Sequence, residues 1–181
     1  DNVNTTAALV VADGVTIAQD LTVKGNGGGT VKLDSDGAGT AIFTGSVTFD
    51  TFNRIGGSGT LQFDGAVSST NSTQLFVADA VFNDTLDLTG FDIWQHVSNT
   101  TFNNTGNSWN NIQVAFGGSV TVGVDNALDT DGGVRLGWSN AGNGTASLNL
   151  GGFSQQVGYI ETVTIDAGAD QNITGGGTLT V

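Results

Sequence analysis

Cysteine, proline and methionine are absent from this 181-residue sequence, and only four residues are lysine or arginine. Without cysteine the chain forms no disulfide and offers no thiolate ligand to a metal. The basic residues lie far apart in the sequence, at Lys24, Lys32, Arg54 and Arg135, and the net charge is −13. Nucleic-acid binding requires clustered cations that neutralise phosphates, so we expect no nucleic-acid partner.

Groups that carry catalysis are equally scarce. His96 is the only histidine and Glu161 is the only glutamate. A zinc site with two histidine ligands therefore cannot form within one chain, and neither can a glutamate pair of the kind that glycosidases use. We expect a protein that is not an enzyme, and a polysaccharide-degrading β-helix enzyme is the least favoured alternative.

Long apolar runs are also missing, since none approaches the ~20 residues that a helix needs to cross a bilayer. No membrane span is expected. What the sequence has instead is 29 glycines, many threonines and asparagines, and 38% apolar residues. Glycine, asparagine and aspartate favour turns, whereas threonine, valine, isoleucine and phenylalanine favour strands. This combination predicts an all-β protein.

A short apolar–polar–apolar unit recurs along the chain and predicts strands with one dry face and one wet face. The unit occurs at residues 15–17, 21–23, 31–33, 47–49, 61–63, 86–88, 112–114, 120–122, 134–136, 148–150, 163–165 and 179–181.

The spacing and repetition of these units favour a parallel β-helix, or β-solenoid, over the alternative of a β-sandwich or jelly roll. The phrase Gly-Gly-Thr followed by a strand core occurs at residues 28–33 and 176–181, with a close variant at 57–63. A turn-plus-strand phrase that repeats is typical of stacked coils. We predict one domain over residues 1–181. Its middle, about residues 64–116, is aromatic-rich and less repetitive, so either the coil widens there or loops project from it.

Residues 120–128 and 133–137 resemble the autotransporter-associated (passenger-associated) β-strand repeat, as do residues 146–158 and 173–181. The shared features are Asn-Ala-Leu, then Leu-x-Leu-x-Gly-x-x-Gln-x-Val-Gly read loosely, then Gly-Gly-Thr-Leu-Thr-Val. Asp129 stands where that family usually has glycine. The resemblance implies a right-handed parallel β-helix at the outer surface of a Gram-negative-type bacterium, and it implies no catalytic residues.

Two acidic segments are candidates for structural calcium, the one cofactor that we consider. Asp34 and Asp36 form one pair, and Asp129 and Asp131 form the other, each beside a glycine. Calcium takes six to eight oxygen ligands, whereas aspartates in such segments also form Asx turns without metal. The turn interpretation is favoured.

The tryptophans are candidates for contact with a glycan or a host-surface ligand, because exposed aromatic rings stack on sugars. They are Trp94, Trp109 and Trp138. Core packing is the competing interpretation for all three.

The two ends of a solenoid present unpaired strand edges, which natural proteins cover. Strand-like residues lie near both ends of this chain, at Val15 and Ile17 and again at Leu179, Thr180 and Val181. We therefore expect these residues to mediate self-association into a homo-oligomer or filament. The expected function is a non-catalytic extracellular scaffold or surface-fibre subunit, and an adhesin or carbohydrate-binding module is the alternative.

Overall fold

In the computed structural model, the described residues are 7–24, 31–50, 53–70, 74–77, 79–138, 144–163 and 170–181, the side chains of 7, 53 and 74–76 excepted. Every regular element in these ranges is a β-strand. The strands are β1 (Ala7–Ala12), β2 (Thr16–Ile17), β3 (Leu21–Val23), β4 (Val31–Asp36), β5 (Thr40–Phe43), β6 (Val47–Phe49), β7 (Asn53–Gly57), β8 (Thr60–Phe63), β9 (Val67–Ser69), β10 (Gln74–Val77), β11 (Ala80–Phe82), β12 (Leu86–His96), β13 (Asn99–Phe102), β14 (Ser108–Ala115), β15 (Ser119–Val122), β16 (Gly133–Leu136), β17 (Ala146–Asn149), β18 (Gln155–Gln156), β19 (Tyr159–Thr162), β20 (Gln171–Thr174) and β21 (Leu179–Thr180). No helix that could span a membrane occurs in the described part of the chain.

Each strand pairs with the strand at the same position one coil later. The long sheet has the order β1-β4-β7-β10-β12-β14-β16-β19, and the second sheet has the order β2-β5-β8-β11-β13-β15-β17-β20. A third side is formed by β3, β6, β9 and the beginning of β12. The pairing is parallel between β1 and β4, between β5 and β8, and at the other described pairs.

Parallel pairing between successive coils confirms the β-solenoid, which has about seven turns. It rules out the β-sandwich and jelly-roll alternative, because those folds are built from antiparallel strands. Handedness remains a prediction.

Coil length varies along the axis, which explains why the period in the sequence is irregular. Side chains and backbone groups that hydrogen bond between coils are 26 residues apart at Asp20 and Ser46. The separation falls to 20 residues at Asn83 and Asn103, and it rises to 29 residues between Asp125 and Ser154. Longer corners account for the differences, while the strands stay in register.

The predicted alternation of dry and wet positions is confirmed on the second sheet, where Leu61 and Phe63 are fully buried on either side of the partly exposed Gln62. The other predicted strand cores coincide or overlap with observed strands, except residues 163–165. There β19 ends at Thr162, and residues 164–165 lie outside the described ranges.

Parallel, in-register stacking places like residues above one another, and the phenylalanines show this most clearly. The rings of Phe43 and Phe63 have centroids 5.3 Å apart, and those of Phe63 and Phe82 are 5.1 Å apart. Phe82 and Phe102 continue the column at 5.4 Å. These spacings are close to the strand separation of about 4.8 Å, so the sheet register itself sets the stacking distance.

The described part of the aromatic middle does not widen, and its division from the rest of the chain stays a prediction. The coils there have the short 20-residue separation, and the aromatic residues divide between the inside and the outside of the sheets. Phe82 and Phe102 fill the core, whereas Trp94 lies on the outer side of the long sheet and is partly exposed.

Several polar side chains inside the coil stack hydrogen bond within a coil or between coils. Asn107 is 6% exposed, accepts a hydrogen bond from the Leu86 amide, and donates one to the Ala127 carbonyl. Gln95 and Thr100 are fully buried and hydrogen bond to each other. A buried polar group that lacked such partners would cost about 1 to 3 kcal/mol.

Candidate functional site: the outer face of the long sheet

One column of residues on the outer face of the long sheet collects most of the basic residues of the chain. The column runs from β4 to β19 and contains Lys32, Arg54, Trp94, Gln113, Arg135 and Glu161, with strand β10 between Arg54 and Trp94. Three of the four basic residues therefore lie on one line. Coil stacking brings Lys32 and Arg54 onto adjacent strands, whereas Arg135 lies four strands further along the same line.

Lys32 and Arg54 are direct register partners on adjacent strands. Adjacent strands lie about 4.8 Å apart, and like charges directly opposite each other destabilise a sheet. In a chain with net charge −13, acidic residues are far commoner than basic ones. The cationic pair lies beside Asp34, which lines the same groove.

Four aromatic rings form a cluster further along the same face. The centroids of Trp94 and Trp138 are 4.8 Å apart in an edge-to-face arrangement, and His96 and Phe116 are also 4.8 Å apart. Trp94 and His96 stack at 5.8 Å. All four side chains are partly exposed. We refer to these four rings together with Lys32, Arg54 and Arg135 as the aromatic–cationic face.

Two grooves flank the cluster along the axis. The larger has a volume of about 400 Å³ and is lined by Lys32, Asp34, Arg54, Ile55, Gly56, Gly57, Val77, His96 and Val97. The smaller, of about 250 Å³, is lined by Gln113, Arg135, Trp138, Glu161 and Val163. The aromatic cluster thus separates two concave surfaces, each of which contains an arginine.

The corner that follows the long sheet contains residues with positive φ. Glycine is the residue that favours this conformation, but two coils have another residue there. Gly57 and Gly137 occupy this corner at φ 121° and 96°. Val97 and Phe116 adopt φ 64° and 55° at the same corner in the coils between them. Positive φ is unfavourable for a β-branched residue, and strain of this kind concentrates at functional sites.

Burial lowers the pKa of His96 below its ordinary value of 6.5, and the positive charge of Arg54 lowers it further. His96 is therefore held in its neutral form near pH 7, as an aromatic member of the cluster.

An ion pair holds the Arg135 side chain, because its Nε lies 2.8 Å from Glu161 Oε2. A guanidinium has five N–H donors in a fixed fork, so this contact orients the group without using all of them.

The three tryptophans that the sequence predicts to contact a ligand do not lie together in the structure. Trp94 and Trp138 lie together on the outer face. Trp109 does not, because it is 4% exposed and packs at 5.2 Å against Phe102 in the core. The prediction that Trp109 contacts a ligand is therefore wrong, because Trp109 packs in the core.

The two acidic segments differ in their local structure. Asp34 and Asp36 lie in strand β4 instead of a turn, with the buried Ser35 between them. Asp129 accepts hydrogen bonds from the amides of Trp109 and Asp131, which is an Asx-type turn. Among the described residues no group of three or more His, Asp or Glu side chains could hold a metal. Structural calcium stays a prediction.

The residues nominated for self-association occupy the two ends of the solenoid. Val15 is 42% exposed and Ile17 is partly buried in the first coil. Val181 is 70% exposed at the other end, where Leu179 packs partly against the core and Thr180 is exposed.

Sequence reasoning missed the basic column, although a local signal exists. Lys32 and Arg135 are each the middle residue of an apolar–basic–apolar unit, and Arg54 precedes Ile55 in the same way. The middle position of the unit faces outward, so aligning the coils would have placed all three on one face. Unequal coil lengths hid that alignment.

Comparison with protein-family models, with curated proteins and with solved structures finds no match to this chain. The fold alone defines its class, a parallel β-solenoid. The resemblance of the C-terminal third to the autotransporter-associated repeat stays a prediction. One residue of that motif has a clear structural role: Gln155 is 2% exposed and bonds to the Val124 carbonyl and the Leu128 amide in the preceding coil.

Proposed function

We propose that this chain is a non-catalytic structural element, an extracellular β-solenoid scaffold whose copies assemble end to end. The observation that carries the proposal is where large apolar side chains are exposed. In the described residues these side chains are Leu9, Val10, Val15, Val97, Tyr159, Ile173 and Val181. All but Val97 belong to the first coil or the last coil.

The exposure of the terminal side chains has a simple geometric cause. Leu9 is 40% exposed, but its register partner Leu33 in the next coil is fully buried. Ile173 is 44% exposed, but its partner Leu148 in the preceding coil is fully buried. The two members of each pair occupy equivalent positions, and the described residues place a coil on both sides of Leu33 and Leu148 but on one side only of Leu9 and Ile173. A further coil, supplied by another copy as we propose, would bury the same apolar surface.

Backbone groups at both ends favour the same contact. Among the described strands, β1 and β2 pair on one side only, and so do β19 and β20. Unpaired strand edges accept an added strand through main-chain hydrogen bonds. The two ends differ from each other, so the contact is heterologous and propagates as a filament instead of closing.

Charge opposes this assembly and supplies a way to control it. Every copy carries a net charge of −13, and repulsion between exposed charges is screened as salt is added. Assembly should therefore strengthen between low and moderate salt. The extracellular location rests on the resemblance to surface repeats and on the cysteine-free composition, which is compatible with export.

The test uses one blocked end at a time. Leu9→Lys should block the first coil, and Ile173→Lys should block the last coil, so each variant alone stays monomeric in sedimentation velocity. An equimolar mixture should give dimers and nothing longer, because one intact end of each kind remains. Val97→Lys, an exposed apolar site away from both ends, is the matched control and should assemble as the unaltered protein does.

Removing Thr178–Val181 extends the test to the C-terminal strand, which the sequence predicts to mediate self-association. The truncated protein should keep its β circular dichroism and lose assembly in electron micrographs. Filaments of unchanged length from the truncated protein, or assembly by the Leu9→Lys variant alone, would contradict the end-to-end proposal.

A second candidate function, a carbohydrate-binding module, is favoured by a separate observation. The aromatic–cationic face runs along the side of the solenoid, from β4 to β16, so an end-to-end assembly would leave it accessible. Partly exposed tryptophans beside a groove are suited to stacking on sugar rings.

A further inference from the structure

We infer that the aromatic–cationic face binds a neutral, extended polysaccharide, a β-linked hexose chain that lies along the solenoid axis with sugar rings against Trp94 and Trp138. The charged side chains of the face would hydrogen bond to sugar hydroxyls. This inference rests on the second candidate function, carbohydrate binding, and names the ligand of that function.

The charges on this face indicate a ligand without net charge. Arg135 Nε lies 2.8 Å from Glu161 Oε2, and Asp34 lines the same groove as Lys32 and Arg54. An anionic ligand would compete with these carboxylates and would be repelled by the net charge of −13, while the three cations oppose a cationic ligand. A hydroxyl both donates and accepts hydrogen bonds. Acidic and basic groups side by side therefore suit the hydroxyls of a neutral sugar.

The aromatic cluster supplies an apolar surface for the face of a hexose ring. Trp94 lies on β12, Phe116 follows β14 and Trp138 follows β16, so the rings come from three successive coils, and all are partly exposed. Val97 follows His96 in the chain and is 71% exposed, the highest value among the exposed large apolar side chains of the described residues. Contiguous exposed apolar groups, unlike single ones, mark binding surfaces.

Backbone conformation sets the coils that contain this cluster apart from their neighbours. Val97 and Phe116 have φ 64° and 55° at the corner where Gly57 and Gly137 also have positive φ. Glycine adopts this conformation without strain, whereas valine and phenylalanine do not. Both departures from glycine add apolar surface beside Trp94 and Trp138. Strain that is retained where it adds exposed surface points to a function of that surface.

The two grooves extend this surface along the axis and indicate the shape of the ligand. The larger groove reaches from Lys32 on β4 to His96 on β12, and the smaller reaches from Gln113 on β14 to Glu161 on β19. The seven strands from β4 to β19 span roughly 29 Å at about 4.8 Å per interval. A hexose in an extended β-linked chain advances by about one strand spacing, so a chain of about six hexoses would cover this length. A coiled α-linked chain would not follow the same straight line.

The binding experiment is titration calorimetry supported by tryptophan fluorescence, on protein that carries Leu9→Lys so that self-assembly does not enter the measurement. The neutral extended probes are cellohexaose, β-mannohexaose and chitohexaose. Maltohexaose is the neutral coiled probe, and hexagalacturonate is the anionic probe. We expect at least one extended neutral hexamer to bind with a change in fluorescence. Maltohexaose and hexagalacturonate should bind at least about tenfold more weakly, the loss that one well-placed contact produces.

One substitution separates a binding role of the face from a structural role. Val97→Gly removes an exposed apolar side chain and places glycine at a positive φ, so it should raise the melting temperature yet weaken binding about fivefold. Asn126→Gly is the matched control, because Asn126 has φ 54° and follows β15 of the second sheet. It makes the same backbone change away from this face and should leave binding unchanged.

The tryptophans provide an independent check. Trp138→Leu and Trp94→Leu should each weaken binding about tenfold, and Trp94→Leu should also reduce the fluorescence change. Thermal unfolding checks that both variants are folded.

The outcomes separate the ligand from the general function. Equal or tighter binding of hexagalacturonate, or equal binding of maltohexaose, would keep a carbohydrate-binding function and overturn the neutral, extended ligand. Equal losses in Val97→Gly and Asn126→Gly would overturn the placement of the site. Dimers of the Leu9→Lys protein that Trp138→Leu abolishes would make the face a contact between copies and overturn the inference. No binding of any neutral hexamer would overturn both the inference and carbohydrate binding, and end-to-end assembly is tested separately.

Discussion

Interior and terminal coils of this solenoid contain the same kinds of residues in the same register, yet they bury them differently. Leu33 and Leu9 are register partners of identical chemistry, and their side chains are 0% and 40% exposed. Leu148 and Ile173 repeat the contrast at the other end. A coil of about 20 residues encloses too little volume to bury its own apolar side chains, so its core is completed by the coils on both sides.

The largest effect should come from placing a charge in the interior stack. Leu33→Asp buries a carboxylate without a partner and should cost about 4 kcal/mol or more, or prevent folding. Leu9→Asp should cost less than about 1.5 kcal/mol, because its side chain reaches water. Urea unfolding monitored by circular dichroism compares the two variants. Equal losses of stability would contradict the view that neighbouring coils supply the burial.

A second test removes one ring from the phenylalanine column. Phe63 stacks between Phe43 and Phe82, so Phe63→Ala leaves a cavity bordered by a ring on either side and should cost about 3 to 5 kcal/mol. Ile17→Ala changes the equivalent column in the first coil, where Ile17 is only partly buried, and should cost about half as much. Denaturant midpoints provide the comparison, and a larger loss at Ile17 would contradict it.

A third comparison concerns corner glycines. A Cβ at Gly57 would lie 2.3 Å from the Ser35 carbonyl oxygen in the preceding coil, whereas a Cβ at Gly14 in the first coil meets nothing within 4 Å. Both glycines have positive φ, and asparagine tolerates the 72° of Gly14 better than the 121° of Gly57. Gly57→Asn should therefore cost roughly 2 kcal/mol through the clash and the strained backbone together, and Gly14→Asn less than about 0.5 kcal/mol. Similar melting temperatures for the two variants would disagree with the tight corner stacking.

The smallest effect concerns pH and His96, which lies in an interior coil. Its pKa is lowered in the folded protein from the ordinary value of 6.5, so protonation favours the unfolded chain. The contribution of neutral His96 to the stability of the folded protein is complete above pH 6.5, and it is lost as the pH falls through the lower pKa that His96 has in the folded protein. His96→Gln should remove this part of the acid sensitivity. Melting temperatures at about pH 7.5 and about pH 5, on either side of the ordinary histidine pKa, test it, and an unchanged pH dependence in the variant would contradict the assignment to His96.

Much of the fold follows from local pattern. The alternation in Val47-Thr48-Phe49 and Val120-Thr121-Val122 predicted strands that the structure has at the same residues, with the outer pair buried. Asp129 could likewise be assigned to a turn, because aspartate bonds readily to nearby backbone amides. These features depend on a few neighbouring residues, so the sequence carries them directly.

The candidate site could not be predicted in the same way. A prediction from residue type alone selected Trp94 and Trp138, which are partly exposed, but it also selected the buried Trp109, because a tryptophan suits either a core or a surface. Lys32, Arg54 and Arg135 are scattered in the sequence, and the structure aligns them on one column. Their alignment depends on the length of each corner between strands.

The sequence by itself determined that this chain is all-β, that its strands are short, and that their alternate residues face inward. Strand period and turn chemistry are local, so about twenty residues are enough to state them. Only the tertiary structure decided which coil lies on which, and therefore that Trp94 lies between two arginines and that Leu9 and Ile173 are uncovered. The physical reason is that the length of each corner decides which residues of successive coils lie in register, and corner length follows no fixed period in this chain.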